Sequence, residues 1–197
     1  KTIENPDGKK HDYTFKLIQV TDETGLTGIP GSTMTTTIED VETSKEGSFT
    51  ITYYEPDYNS GDKIYYKISE EVNNSDSNTK YDETLYIVEV TIQKETDFQA
   101  MITKIIKNGE NVSNIEFKNQ ILTNLIVSKE VRENISNSAI FDFTIEGTYQ
   151  GKDVNATYKG LLKSGQDTIE KDIIFTNGRA TIQLKHNEEL TILGLPY

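Results

Sequence analysis

Four polar residues stand where strand alternation leads to an apolar position. In Lys63–Glu70 the residues Ile64, Tyr66 and Ile68 share one parity, and the next position on that face is Glu70. The other face carries Lys63, Tyr65, Lys67 and Ser69. A strand that holds its register therefore turns Glu70 inward. In Ser113–Asn119 the inward set is Ile115 and Phe117, and Asn119 is its next member. In Asn124–Val131 the residues Leu125, Val127 and Val131 share a face with Lys129. Lys1 shares parity with Ile3, in a stretch too short to fix its register.

Inward placement changes what these groups can do. A lone buried charge is costly, and the usual response is a shift toward the neutral form. A neutral lysine amine is a nucleophile, a neutral glutamic acid can donate and relay protons, and an asparagine offers an amide carbon. Brought together, they can condense: the amine attacks the side-chain carbonyl, the acid carries protons and ammonia leaves. A plainer pattern also fits. Glu70 with Glu71 reads as a solvated strand end, and Asn119 as a turn residue. Lys129 resists that reading, because apolar residues flank it at both i−2 and i+2.

The elements that must position these groups are nearly all β. Thr, Ile, Val, Tyr and Phe fill short runs with period-2 alternation, separated by turn clusters such as Asn5-Pro6-Asp7-Gly8 and Asn59-Ser60-Gly61-Asp62. Strands are expected near Asp12–Val20, Met34–Ile38, Ser48–Tyr54, Lys63–Glu70, Glu83–Lys94, Gln99–Ile106 and Ser113–Asn119. A second set covers Asn124–Val131, Ile140–Gly147, Val154–Leu161, Arg179–Lys185 and Glu189–Leu193. A turn of helix is expected around Leu161-Leu162 and Asp167–Lys171. Gln120-Ile121-Leu122-Thr123 reads as a connector, giving domains at residues 1–121 and 122–197. Lys1-Thr2-Ile3 with Tyr13-Thr14-Phe15-Lys16-Leu17, and Lys129-Glu130-Val131 with Phe141-Asp142-Phe143-Thr144-Ile145, form a weak internal repeat. Many short strands with regular turns point to sandwiches.

Composition narrows the function. Cysteine is absent, which removes disulfides, thiolate metal sites, cysteine nucleophiles and thioester chemistry. The net charge of −12 disfavours nucleic acid and anionic lipid as partners. No run approaches the ~18 apolar residues of a membrane span. The two histidines, His11 and His186, have no neighbouring ligand cluster, so no metal or cofactor is expected.

The motifs together resemble a known family. Lys1-Thr2-Ile3, Asn5-Pro6-Asp7-Gly8 and Tyr13-Thr14-Phe15-Lys16-Leu17 resemble the opening strands of the streptococcal-type pilin isopeptide-linkage domain, a CnaB-related Ig-like sandwich. Tyr65-Tyr66-Lys67-Ile68-Ser69-Glu70-Glu71 is similar to its acid-bearing strand, and Tyr81-Asp82 with Tyr86-Ile87-Val88-Glu89-Val90 to the strand pair that follows. Ile115-Glu116-Phe117-Lys118-Asn119 resembles its closing strand, Leu125-Ile126-Val127-Ser128-Lys129 the first strand of a following domain, and Ile192-Leu193-Gly194-Leu195-Pro196-Tyr197 the run into a second acid-bearing strand. The resemblance implies two tandem Ig-like, CnaB-type β-sandwiches, the second incomplete at its C-terminus. It implies Lys1 as nucleophile, Glu70 as proton-shuttling acid and Asn119 as electrophile of a self-formed isopeptide bond. It implies Lys129 as the reactive lysine of the second domain, which lacks a partner in this chain. It further implies sortase-made links to other pilin subunits, with Lys107 as the candidate lysine, and a place on the cell wall or pilus of a Gram-positive surface. Such self-modification is not enzymatic turnover.

Two other classes compete. Tyr53, Tyr54, Tyr58 and Tyr65 could form an aromatic patch of an adhesin that binds a host surface ligand, although cross-strand pairing explains tyrosines equally well and the lack of Trp weakens a carbohydrate platform. A hydrolase using Asp82 and Glu83 has no signal placing two carboxylates across a cleft. Calcium binding near Asp76 lacks the required loop spacing.

Overall fold

The computed structural model describes residues 1–94, 97–131 and 139–196. Its regular structure is β-strand, with one short 3-10 turn at Glu55–Asp57 and no α-helix among the described residues. The chain divides into two compact units, Lys1–Gln120 and Ile121–Tyr197.

The first unit holds β1 (Thr2–Glu4), β2 (His11–Val20), β3 (Met34–Val41), β4 (Lys63–Glu70), β5 (Thr79–Lys80), β6 (Tyr86–Gln93), β7 (Gln99–Lys107) and β8 (Glu110–Asn111). It also holds the start of β9 (Lys118–Lys129). An antiparallel sheet runs in the order β3-β2-β4-β6-β7-β8. Opposite it, β1 pairs in parallel with the start of β9, and β5 pairs with β9 from another side. Alternation does the sorting. Tyr13, Phe15 and Leu17 of β2 and Ile64, Tyr66 and Ile68 of β4 are buried. Phe15 meets Phe117 across the layers at 5.2 Å between ring centroids.

In the second unit the later part of β9 pairs with β16 (Glu188–Pro196). The sheet continues through β13 (Ala156–Ser164) to β14 (Asp167–Phe175). β10 (Ile140–Glu146) pairs with β15 (Arg179–Lys185), and β11 (Thr148–Tyr149) with β12 (Lys152–Asp153). Ile173, Phe175, Ile182, Leu184, Leu190 and Ile192 form its core, with Leu125 and Val127 packed against it.

Three sequence expectations need correction. Ser48–Tyr54 forms no ladder; it is extended chain whose Phe49, Ile51 and Tyr53 are half-buried against an apolar cavity of about 550 Å³. Its alternation reflects burial on one side, without strand neighbours. Gln120–Thr123 is not a loose connector but part of the continuous strand β9, while Ile115–Phe117 before it lies outside the ladder. Leu161-Leu162 and Asp167–Lys171 lie in β13 and β14, which turn back through Gly165 at positive φ, so no helix forms there.

Candidate cross-linking site

Three strands of the first unit deliver the site. The parallel pairing of β1 with β9 sets Ile3 beside Asn119 and Thr2 beside Lys118, which brings Lys1 to the start of β9. Glu70 is the last residue of β4 and lies opposite Phe15 of β2. Its inward parity carries the carboxyl across the unit's interior toward the other layer.

There one carboxylate bridges both reactants. The Lys1 Nζ donates to Glu70 Oε2 at 3.0 Å. The Asn119 Nδ2 donates to Glu70 Oε1 at 2.7 Å. The Lys1 and Glu70 side chains have no exposed surface, and Asn119 is wholly buried. The surroundings are aromatic. The Lys1 amine lies 4.5 Å from the centre of the Tyr13 ring. Phe117, two residues before Asn119, packs edge-on against Tyr86 at 5.1 Å. The Tyr86 hydroxyl donates to the Glu116 carbonyl at 2.7 Å, which anchors the closing segment. Among the described residues no group meets the buried Tyr13 hydroxyl at hydrogen-bond geometry, although the Asn119 side chain lies beside it.

Burial governs the protonation of the pair. It pushes the Lys1 amine below its ordinary value, while the Glu70 carboxylate and its hydrogen bond pull the other way. Burial pushes Glu70 above the usual carboxylate range, against the pull of Lys1 and Asn119. Both directions favour a neutral amine beside a neutral acid. This is the state in which an amine can attack and an acid can relay protons.

The second end of the asparagine is held as well. The backbone N–H of Asp82 donates to Asn119 Oδ1 at 2.8 Å. The Asp82 carboxylate in turn accepts the Lys118 N–H at 2.7 Å and the Thr84 N–H at 2.9 Å. Sequence reasoning missed this contact, because a main-chain donor leaves no signature in side-chain pattern. A cleft of about 610 Å³ lined by Glu4, Thr79, Asp82, Lys118 and Gln120 borders β9 on both sides of Asn119.

The remaining candidates lie elsewhere. Lys129 shares its face with Leu125 and Val127, and its amine lies 4.5 Å from the Phe141 ring centre. Its pairing partner is Glu188, whose carboxylate accepts the Lys185 N–H instead. Among the described residues no ion pair to Lys129 is formed. Lys107 closes β7 half-buried, its amine 5.5 Å from the Tyr86 ring centre. The tyrosines do not gather into one patch. Tyr53 donates to the buried Tyr66 hydroxyl at 3.0 Å and packs against Tyr58, Tyr54 is exposed, and Tyr65 faces the other side of β4 to reach Glu89 at 3.1 Å. Among the described residues no cluster of three or more potential metal ligands occurs, and no helix is long and apolar enough to cross a membrane.

Comparison with known proteins adds the following. A family model described as a domain of unknown function (DUF7601) matches residues 123–197. No curated protein sequence matches the chain. Among solved structures, the chain is similar to the major pilin from Streptococcus pyogenes, at 23% identity over 99% of this chain and 76% of that one, with a TM-score of 0.47. It is also similar to the T3.2 major pilin of the same organism, at 22% identity over 100% of this chain and 75% of that one, with a TM-score of 0.43. The T-13 major pilin of that organism shares 16% identity over 99% of this chain and 75% of that one, with a TM-score of 0.38.

Proposed function

We propose that this chain is a structural segment of a Gram-positive cell-surface pilus, stiffened by a self-formed isopeptide bond between Lys1 and Asn119. The observation that carries this reading is the Glu70 carboxyl, fully out of water, with one oxygen on the Lys1 amine and the other on the Asn119 amide nitrogen. The Lys1 Nζ lone pair attacks Asn119 Cγ, and a new C–N bond forms. Glu70, as the neutral acid, gives its proton to Asn119 Nδ2 and takes up the proton shed by the amine. The Cγ–Nδ2 bond breaks, and ammonia leaves with the cleft beside β9 as its route out. The products are a secondary amide and ammonia, with no oxidant or co-reactant. The chain modifies itself once and does not turn over a substrate.

The bond suits a load-bearing filament. It joins the strand that opens the unit to the strand that closes it, so pulling on these strands loads a covalent link instead of a ladder of hydrogen bonds. A chain without cysteine has no disulfide for this task. The order of motifs resembling pilin isopeptide-linkage domains supports the same reading, as does an acidic outer surface. In this account residues 1–121 and 122–197 are successive sandwich modules, Lys129 is the reactive lysine of the second, and Lys107 is the attachment lysine for sortase-made links between subunits. The alternative, a host-binding adhesin, loses support from the scattered tyrosines.

Peptide mapping by tandem mass spectrometry tests the bond. The account expects a branched fragment joining the Lys1 segment to the Asn119 segment with the loss of one ammonia. Recovery of both segments unlinked and unmodified would overturn it.

A further inference from the structure

We infer that the main chain of Asp82 forms the oxyanion site for the cross-linking reaction, and that the Asp82 side chain is the device that aims it. This rests on the isopeptide reading and deepens it. In the attack, electrons leave the Asn119 carbonyl double bond for Oδ1, so a negative charge develops on that atom. Oδ1 accepts the Asp82 N–H at 2.8 Å before any reaction begins. A donor already in place where charge appears, at a wholly buried amide, stabilises the transition state without reorganisation.

Residues 81–85 lie outside any strand, so this N–H is not fixed by a ladder. The side chain fixes it. Asp82 Oδ1 accepts the Thr84 N–H two residues on, which folds the segment into an Asx turn. Oδ2 accepts the Lys118 N–H, which ties that turn to the residue before Asn119. Donor and acceptor are thereby clamped to one short stretch of β9. Asn119 is then gripped at both ends, with Nδ2 on Glu70 and Oδ1 on Asp82. The amide cannot rotate, and its leaving group faces the acid that must protonate it.

The Asp82 side chain is thus a positioning group, while its main-chain N–H contacts a reacting atom. Asp82 itself, the N-terminal amine, Tyr13, Tyr81 and Lys107 also act on the charged groups of the site, and the hydrogen bond to Oδ1 comes from the Asp82 main chain.

The test follows bond formation in time. The whole chain is made by cell-free translation, quenched in acid at intervals and weighed intact for the loss of ammonia. Parallel samples are scored for folding by protease resistance. Asp82→Pro deletes the N–H and is expected to slow the reaction about 10²-fold, as loss of one oxyanion donor does elsewhere. Asp82→Ala keeps the N–H but frees the loop, and misaiming of this kind is expected to cost about tenfold. Asp82→Asn retains one acceptor and should recover part of that loss. All three variants also remove the Asp82 charge, which acts on both Lys1 and Glu70, so their rate–pH profiles should share one displacement and differ in height. If Asp82→Pro fails to fold, the Ala and Asn pair decides. Folded variants that react at the wild-type rate overturn the inference. So do equally slow Ala and Asn variants, since the lost charge is what the two share. If the wild type itself never loses ammonia, the isopeptide reading fails; if it does and the Asp82 variants match it, only the oxyanion site fails.

Discussion

Replacing Glu70 with glutamine isolates what the cross-link contributes to stability. Glutamine keeps the shape of the side chain and an oxygen to accept the Asn119 N–H, but it cannot shuttle a proton, so the bond should not form. The bond between Lys1 and Asn119 closes a loop of about 120 residues. Loop-closure entropy for that length gives about 5 kcal/mol at 25 °C. Exchanging the carboxyl for an amide beside a neutral amine adds about 1 kcal/mol at most. Unfolding entropy of about 2.1 cal/mol/K per residue over about 120 residues converts 5 kcal/mol into a drop in Tm of about 20 °C for the first unit. Calorimetry of wild type and Glu70→Gln, with intact mass recorded on the same samples, reads this out. If the variant lacks the bond but melts within about 5 °C of wild type, the loop-closure reasoning is wrong for this fold.

Other outcomes follow from the same structure. Asn119→Ala leaves the Lys1 amine free with its lowered pKa, so that variant loses stability as pH falls through the folded-state pKa of Lys1. In wild type the amide no longer titrates, and the raised Glu70 costs stability only as pH rises. The advantage of wild type in chemical denaturation should therefore widen as pH falls from 10.5 to the lowered Lys1 value and level off below it. Tyr13→Phe removes a buried hydroxyl that no described residue meets at hydrogen-bond geometry, so stability should hold or rise by up to about 1 kcal/mol, with the mass loss intact. A loss above about 2 kcal/mol would show that the hydroxyl is satisfied after all. Gly160→Ala would set a methyl 2.8 Å from Ile173 Cγ1 and 3.0 Å from Leu190 Cδ1. It should destabilise the second unit by about 1–3 kcal/mol in urea without affecting the cross-link in the first.

How far the sequence could be read depended on what each feature writes into side-chain pattern. Glu70 was legible because β4 alternates without a break, with Ile64, Tyr66, Ile68 and Glu70 all buried. Asn119 was legible by the same parity, even though Ile115 and Phe117 lie before the strand and not in it. Ser48–Tyr54 misled for a related reason: half-burial against a cavity produces alternation with no strand beside it. Gln120–Thr123 misled because nothing in its composition shows that one strand runs on from one unit into the next. Lys1 had too few neighbours to fix a register, because β1 is placed by parallel pairing with residues more than a hundred positions away. The Asp82 contact was out of reach, since a backbone N–H looks the same at every residue.

The most direct test of the central claim is the intact mass of the wild-type chain beside Glu70→Ala. The account predicts that the wild type is lighter than its sequence mass by one ammonia and that the variant is not. Full sequence mass for both would contradict the cross-link, and with it the stapled-filament function.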